Sequence, residues 1–163
     1  MNAIQLKSST FRIRALIKLL RPQQWSKNLL VFVPLVTAHL WLDIIAIQHS
    51  VVAFIAFCLA SSSIYVINDA LDVENDRIHP VKRERPFASG ALNPRMALWL
   101  APLIILLSVG IAFWLPAKAT WIIAIYLGLS LSYCLILKPI LWLDVLTLAS
   151  LYTLRVLVGA AAI

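Results

Sequence analysis

Five apolar runs, at roughly residues 28–47, 49–71, 95–116, 119–138 and 141–163, dictate what this chain can fold into. Each approaches the roughly 20 residues that an α-helix needs to cross a bilayer. In lipid every backbone N–H and C=O must find its partner inside the protein, so such runs read as spanning helices. Composition agrees: charged residues make up 13% of the chain and mean hydropathy is +0.91, whereas a soluble domain carries about a quarter charged residues. The expected fold class is therefore an all-α integral membrane bundle of about five transmembrane helices. A tight polar break at Gln48, His49 and Ser50 is expected to separate the first two spans. Pro34 and Pro102 fall inside spans, where neighbouring helices can satisfy the freed backbone groups.

Charge sets the expected orientation. With the N-terminus in the cytoplasm, residues 72–94 and the turn at 138–141 share its side, and twelve of the 14 Lys and Arg residues face inward. Lys118 alone then lies outside, and Arg155 sits within the last span. The reverse orientation would break the positive-inside rule. The host membrane expected is a bacterial-type inner membrane. Residues 1–27 read as a cytoplasmic segment, and 28–163 as the membrane domain with a cytoplasmic loop at 72–94. In "FRIRALIKLLRPQQW" the bases lie on one side and Phe11, Ile13, Leu16, Leu19 and Leu20 largely on another. That pattern suits a helix lying in the interface, anchored by Trp25. Its bases are not followed by the short apolar core and cleavage site of a signal peptide. The formal charge of +7 does not point to nucleic acid, because the bases are not interleaved with stacking aromatics. Cys58 and Cys134 lie inside apolar runs and read as buried free thiols.

One stretch departs from this pattern. "NDALDVENDRIHPVKRERP", residues 68–86, holds nine of the 21 charged residues and five of the seven acids. If the second span's helix continues past the membrane surface, Asn68, Asp72 and Asp76 recur at i, i+4 and i+8. They then cover about 80° of arc, with Asp69 near the same side and Glu74 pointing away. Carboxylates in such register repel unless something neutralises them. Mg²⁺ suits that role: it takes oxygen ligands, keeps several waters, and uses one or two carboxylates plus substrate phosphates. Thiolate and imidazole metals do not fit, since His79 is alone and no Cys is near. One helical face thus carries an amide and three carboxylates, which a hydrated Mg²⁺ would suit. The loop that follows brings Arg77, Lys82, Arg83 and Arg85, shaped by Pro80, Pro86 and Gly90. Metal-binding acids followed by anion-binding bases form two halves of a diphosphate site. Lys82 and Arg85 are expected to hold phosphate, and Arg83 to serve topology and anionic lipid.

These residues resemble the UbiA superfamily of intramembrane prenyltransferases. "NDALDVEND" fits the signature NDxxDxxxD, and "KRERP" matches the Lys and Arg-Pro that follow it. Within the superfamily the chain is most similar to the decaprenyl-phosphate phosphoribosyltransferase branch. That likeness rests on "RPQQWSKN", "HPVKRERP", "SYCLILK" and "LDVLTLASLYTLRVLVGA". The resemblance implies a bundle of about nine spans, of which this chain carries the N-terminal portion. It implies that Asn68, Asp72 and Asp76 hold Mg²⁺ on a diphosphate, that Asp69 supports them, and that Lys82 and Arg85 contact phosphate. Asp72, Asp76 and Lys82 would then carry the catalysis. The implied donor is phosphoribosyl diphosphate and the acceptor a polyprenyl phosphate in the membrane lipid. The chain stops at Ile163 inside an apolar run, as a truncated protein would, and is expected to be inactive by itself.

Other polar positions bear on the same site. Arg155 lies within a span, where a charge normally faces a cavity or a partner. Asp144 returns to within about 20° of its face but sits about 16 Å away along the axis, so a shared polar cavity is expected rather than a direct pair. Snorkelling or ion pairing would also account for Arg155. Tyr133 and Lys138 lie level with the acids and can reach phosphate or anchor the interface. Lys27, Asn28 and Gln24 occupy the same level ahead of the first span. Ser61, Ser62 and Ser63 suit close helix packing.

Two other functions remain open. A prenyltransferase would move a prenyl group from prenyl diphosphate to an aromatic acceptor. A channel or transporter would use the charged mouth to select ions or phosphorylated solutes, although both charge clusters lie on one side and no acid lies at mid-membrane. A CDP-alcohol phosphatidyltransferase fits less well, because its Asp-Gly and Ala-Arg offsets are missing from this stretch.

Overall fold

The computed structural model describes residues 3–163, and among these it is all helical, with no strand. Helix α1 (Ala3–Leu20) ends where Pro22 begins. A residue before proline is pushed out of the right-handed helical region, and Arg21 takes a left-handed conformation, φ 52° and ψ 57°. The chain then runs as a 3₁₀ helix over Pro22–Phe32 and as the short helix α2 (Val33–Thr37). This is the first departure from expectation: the span drawn at 28–47 is not one α-helix. It runs beside α3 (Ile44–Leu71) in a tighter coil, with Trp25 bonded to Ser62, Asn28 to Ser61, and Phe32 packed on Phe54.

The break also moves. It lies at residues 38–43, where His39 has φ 57° and Asp43 caps α3 by accepting from Ile45 N (2.8 Å) and Ala46 N (3.1 Å). Gln48, His49 and Ser50 are inside α3, and the His49 ring is bonded to the Ala162 carbonyl. Their polarity resembles a turn, but none of them breaks a helix. The true turn is lined by Leu40, Trp41 and Leu42, which a hydropathy window reads as membrane.

Beyond α3 come α4 (Val73–Ile78), short 3₁₀ turns at Lys82–Glu84 and Pro94–Met96, α5 (Ala97–Ala112) and α6 (Ala117–Ser132). A π-helical turn, Tyr133–Leu137, leads into α7 (Leu141–Ala162). Four helical stretches are long and apolar enough to cross a membrane: Ile44–Leu71, Pro94–Ala112, Ala117–Leu137 and Leu141–Ala162. Helix α3 is the hub of the bundle. Its small residues Ala53, Ala56 and Ala60 let α5 and the neighbouring elements approach closely, and Ser108 of α5 bonds the Ala56 carbonyl. The outer helices expose Leu98, Leu106, Trp114 and Trp142, apolar surface that suits contact with lipid.

A second apolar cluster lies at the charged end of the bundle. There Ala15 and Leu19 of α1 pack with Val66, Val73, Phe87 and Leu92. Leu19 is fully buried, and Leu16 and Leu20 pack against the same cluster. Ile13, assigned to that apolar side in the sequence, is exposed instead. The side chain of Phe11 lies outside the described residues. Helix α1 is thus held under the loop after α3, with Lys18 Nζ donating to the Glu84 carbonyl at 3.0 Å.

Candidate functional site

The end of α3 fixes the acids. The Asp76 N–H donates to the Asp72 carbonyl and the Asp72 N–H to that of Asn68, so the helical register passes through the α3–α4 junction. Asn68, Asp72 and Asp76 do lie at successive turns, but their surroundings differ. Asp69 and Asp76 are each 2% exposed. Asp69 accepts from Arg21 and from Arg85 Nη1 (3.2 Å), and Asp76 accepts from Arg85 Nη1 at 2.6 Å. Asp72 is half-buried and accepts from Lys138 Nζ (2.7 Å) and Asn68 Nδ2 (3.1 Å). Burying a carboxylate is tolerable only with such charged partners. The neutralisers expected of a metal are, in this structure, largely Arg21, Arg85 and Lys138.

Arg21, Asn68, Asp72, Arg85 and Lys138 stand at the mouth of a cavity of about 280 Å³. Arg21, Lys27, Asn68, Asp72, Lys82, Arg85, Tyr133 and Lys138 all line it. Deeper in, Ser61, Tyr65, Tyr126, Tyr152 and Arg155 form its walls. From Asp72 to Ser61 it follows α3 for about 16 Å, at about 1.5 Å per residue. The π-helical turn aims Tyr133, Cys134 and Lys138 at this mouth, with the Lys138 N–H closing on the Tyr133 carbonyl at 3.1 Å. Such π-turns recur at functional sites.

Arg155 is buried, and no carboxylate pairs with it among the described residues. Its Nε donates to Asn28 Oδ1 (3.0 Å) and its Nη1 to the Leu151 carbonyl (2.6 Å). Its guanidinium also lies 4.9 Å from the Tyr152 ring centre, with the Phe57 and Tyr126 rings nearby. Ring faces attract a cation without cancelling its charge. Lys27 and Lys82 likewise line the cavity without a carboxylate partner among the described residues. Three uncompensated cations therefore face one cavity, an arrangement that attracts anions.

Not every expected residue lines that cavity. Asn28 is buried behind its wall, donating to Ser61 and Cys58 and fixing Arg155. Asp144 accepts from the Tyr133 hydroxyl at 2.8 Å and lies outside the lining, so Arg155 and Asp144 do not share the cavity as expected. Asp69 and Asp76 sit behind Arg21 and Arg85. Arg21 was missed as a site residue, because its place at the end of a basic amphipathic helix reads as topology. Its one signal is the Pro22 that follows, which stops α1 at the level of Asp69.

Two of the three expected metal ligands stand at the cavity mouth. Asn68 and Asp72 present oxygens one helical turn apart at the cavity mouth, donors of the kind Mg²⁺ takes. Asp76 is engaged by Arg85 and does not reach that mouth. Among the described residues no group of three or more His, Cys, Asp or Glu side chains could hold a metal alone. What the described residues offer a metal at this mouth is therefore a pair of oxygen donors, short of a complete ligand set.

Residues 29–163 match the model of the UbiA prenyltransferase family. The chain is 44% identical over 154 residues to a decaprenyl-phosphate phosphoribosyltransferase of Mycolicibacterium smegmatis, covering 92% of this chain and 48% of that protein. It is 39% identical over 153 residues to the protein of the same description in Corynebacterium glutamicum, covering 90% and 46%. Nodulation protein NoeC of Azorhizobium caulinodans is 38% identical over 151 residues, covering 87% and 46%. The chain thus spans about half the length of these relatives. By this family match, these identities and its four long apolar helices, the chain is an integral membrane protein and belongs to the UbiA prenyltransferase family.

Proposed function

We propose that the complete protein is a Mg²⁺-dependent intramembrane transferase that moves a 5-phosphoribosyl group from phosphoribosyl diphosphate to a polyprenyl phosphate. The observation that carries this reading is the cavity itself: a mouth of paired oxygens and cations above an aromatic-walled hollow containing Arg155. The identity to phosphoribosyltransferases supports the choice of donor. The charged end, including loop 72–94 and the N-terminus, faces the cytoplasm of a bacterial-type inner membrane in this reading, where a soluble donor is found.

Asn68 and Asp72 would hold Mg²⁺, which would supply positive charge toward the departing diphosphate. Lys82 and Arg85 hold the phosphates, and Asp69 and Asp76 keep Arg85 in place from behind. Lys27, Lys138 and Tyr133 complete the rim. Arg155, steadied by Asn28, offers its guanidinium to the acceptor phosphate. An acceptor phosphate oxygen attacks the anomeric carbon, the bond from that carbon to the diphosphate oxygen breaks, and the diphosphate carries away the electron pair. The nucleophile is already an oxyanion, so no protein base is required, and positioning and charge supply the acceleration.

In the complete protein, Asp72→Ala is expected to weaken Mg²⁺-dependent binding of phosphoribosyl diphosphate by at least about 100-fold. Equilibrium binding of labelled donor measures this, and unchanged affinity refutes the ligand assignment. Membranes supplied with Mg²⁺ and each donor separately decide the group transferred. Turnover of prenyl diphosphate alone would replace the phosphoribosyl reading with prenyl transfer to an aromatic acceptor.

A further inference from the structure

A second hollow of about 280 Å³ lies beside the main cavity and shares Arg21, Lys82 and Arg85 with it. Lys18 from the last turn of α1 and Gln23 from the 3₁₀ segment line the new hollow only. Its two carboxyl groups do not cancel these bases. Asp69 is buried and already paired with Arg21 and Arg85, and the Glu84 side chain is exposed. Among the described residues its apolar lining is Val81 and Pro86, which offer no path for an alkyl chain. Arg21 and Arg85 thus form a partition, fixed from below by Asp69, with cations on both faces.

We propose that this hollow is a phosphomonoester subsite, occupied by the terminal phosphate of a soluble sugar phosphate whose diphosphate sits in the main cavity. This rests on the transferase reading and deepens it, because a prenyl diphosphate has no second phosphate group to place there. Lys18 supplies a charge that the diphosphate does not touch, and Gln23 an amide donor. The lining favours a soluble phosphate over a lipid phosphate of the same chemistry.

The test is equilibrium binding to the purified chain in detergent with Mg²⁺, using inorganic diphosphate, phosphoribosyl diphosphate, ribose 5-phosphate and dodecyl phosphate. Phosphoribosyl diphosphate is expected to bind about tenfold or more tighter than inorganic diphosphate. Lys18→Gln is expected to erase that preference while leaving inorganic diphosphate affinity unchanged, and Lys18→Arg to retain it. Unchanged diphosphate affinity also shows that the variant is folded. Equal affinity for the two diphosphates in the parent chain, or a preference that survives Lys18→Gln, overturns the subsite. Tighter, Lys18-dependent binding of dodecyl phosphate than of ribose 5-phosphate overturns the soluble source. Failure of inorganic diphosphate to bind, with Lys18-dependent ribose 5-phosphate binding intact, instead overturns the diphosphate reading of the main cavity and supports the subsite.

Discussion

Replacing Arg85 by Ala is expected to destabilise the chain by about 3–5 kcal/mol, the usual cost of stranding one member of a buried ion pair. Arg85 bridges two carboxylates, Asp69 at 3.2 Å and Asp76 at 2.6 Å, whose side chains are 1% and 2% exposed. Asp69 keeps Arg21 after the change, but Asp76 loses its only charged partner among the described residues. Its choices are to remain charged without compensation or to admit water, and either loosens the α3–α4 junction. Thermal unfolding in detergent measures the loss. Adding Asp76→Asn to Arg85→Ala should recover a large part of it, because the stranded group is then neutral. A loss below about 1 kcal/mol would mean that Asp76 is effectively solvated, contrary to its burial. Arg85→Lys separates charge from shape: it keeps one cation but cannot reach both carboxylates with a planar fork.

The same two carboxylates show what was readable in the sequence. The i, i+4, i+8 spacing placed Asn68, Asp72 and Asp76 on one helical track, and the track is there. What spacing could not supply was depth. Asp72 stands at the mouth, while Asp76, one turn further, is covered by Arg85 from a loop nine residues away. Covering depends on how that loop folds back, which is a tertiary outcome. Arg21 was hidden for a similar reason, since its partner Asp69 lies 48 residues on. The four long helices were legible because lipid demands long apolar runs. The first apolar run was misdrawn as one α-helix because 3₁₀ and α-helical residues have the same hydropathy, and because the turn at Leu40 to Leu42 is apolar. Tyr65, Tyr126 and Tyr152 carried no signal of their own; only the packing of α3, α6 and α7 around Arg155 gathers them into the cavity wall.

That packing depends on Gly159, and Gly159→Ala is expected to be the most damaging of the glycine substitutions. A methyl group there would stand 2.0 Å from the Val31 carbonyl oxygen and 2.9 Å from its carbon, far inside contact distance. The obstacle is backbone in the 3₁₀ segment, so no side-chain rotation relieves it. Helix α7 must therefore retreat from that segment. Arg155 lies about one helical turn before Gly159, and Asn28 one 3₁₀ turn before Val31. The retreat consequently pulls on the 3.0 Å bond between Arg155 and Asn28 that holds the deep cation in place. Overpacking of this kind costs about 1–3 kcal/mol and sometimes more, and small residues at crossings of membrane helices permit just such close approach. Gly110 and Gly128 provide the control, because nothing lies within 4 Å of a Cβ at either position. At those two sites Ala should be neutral or stabilising by up to about 1 kcal/mol, from helix propensity alone. Thermal unfolding of the three variants in detergent, with diphosphate binding measured in parallel, tests the contrast. Gly159→Ala should lower both stability and anion affinity, whereas the other two should change neither by much. If Gly159→Ala were as benign as Gly110→Ala, α7 would not pack on the 3₁₀ segment as described, and the placement of Arg155 in the cavity would fall with it.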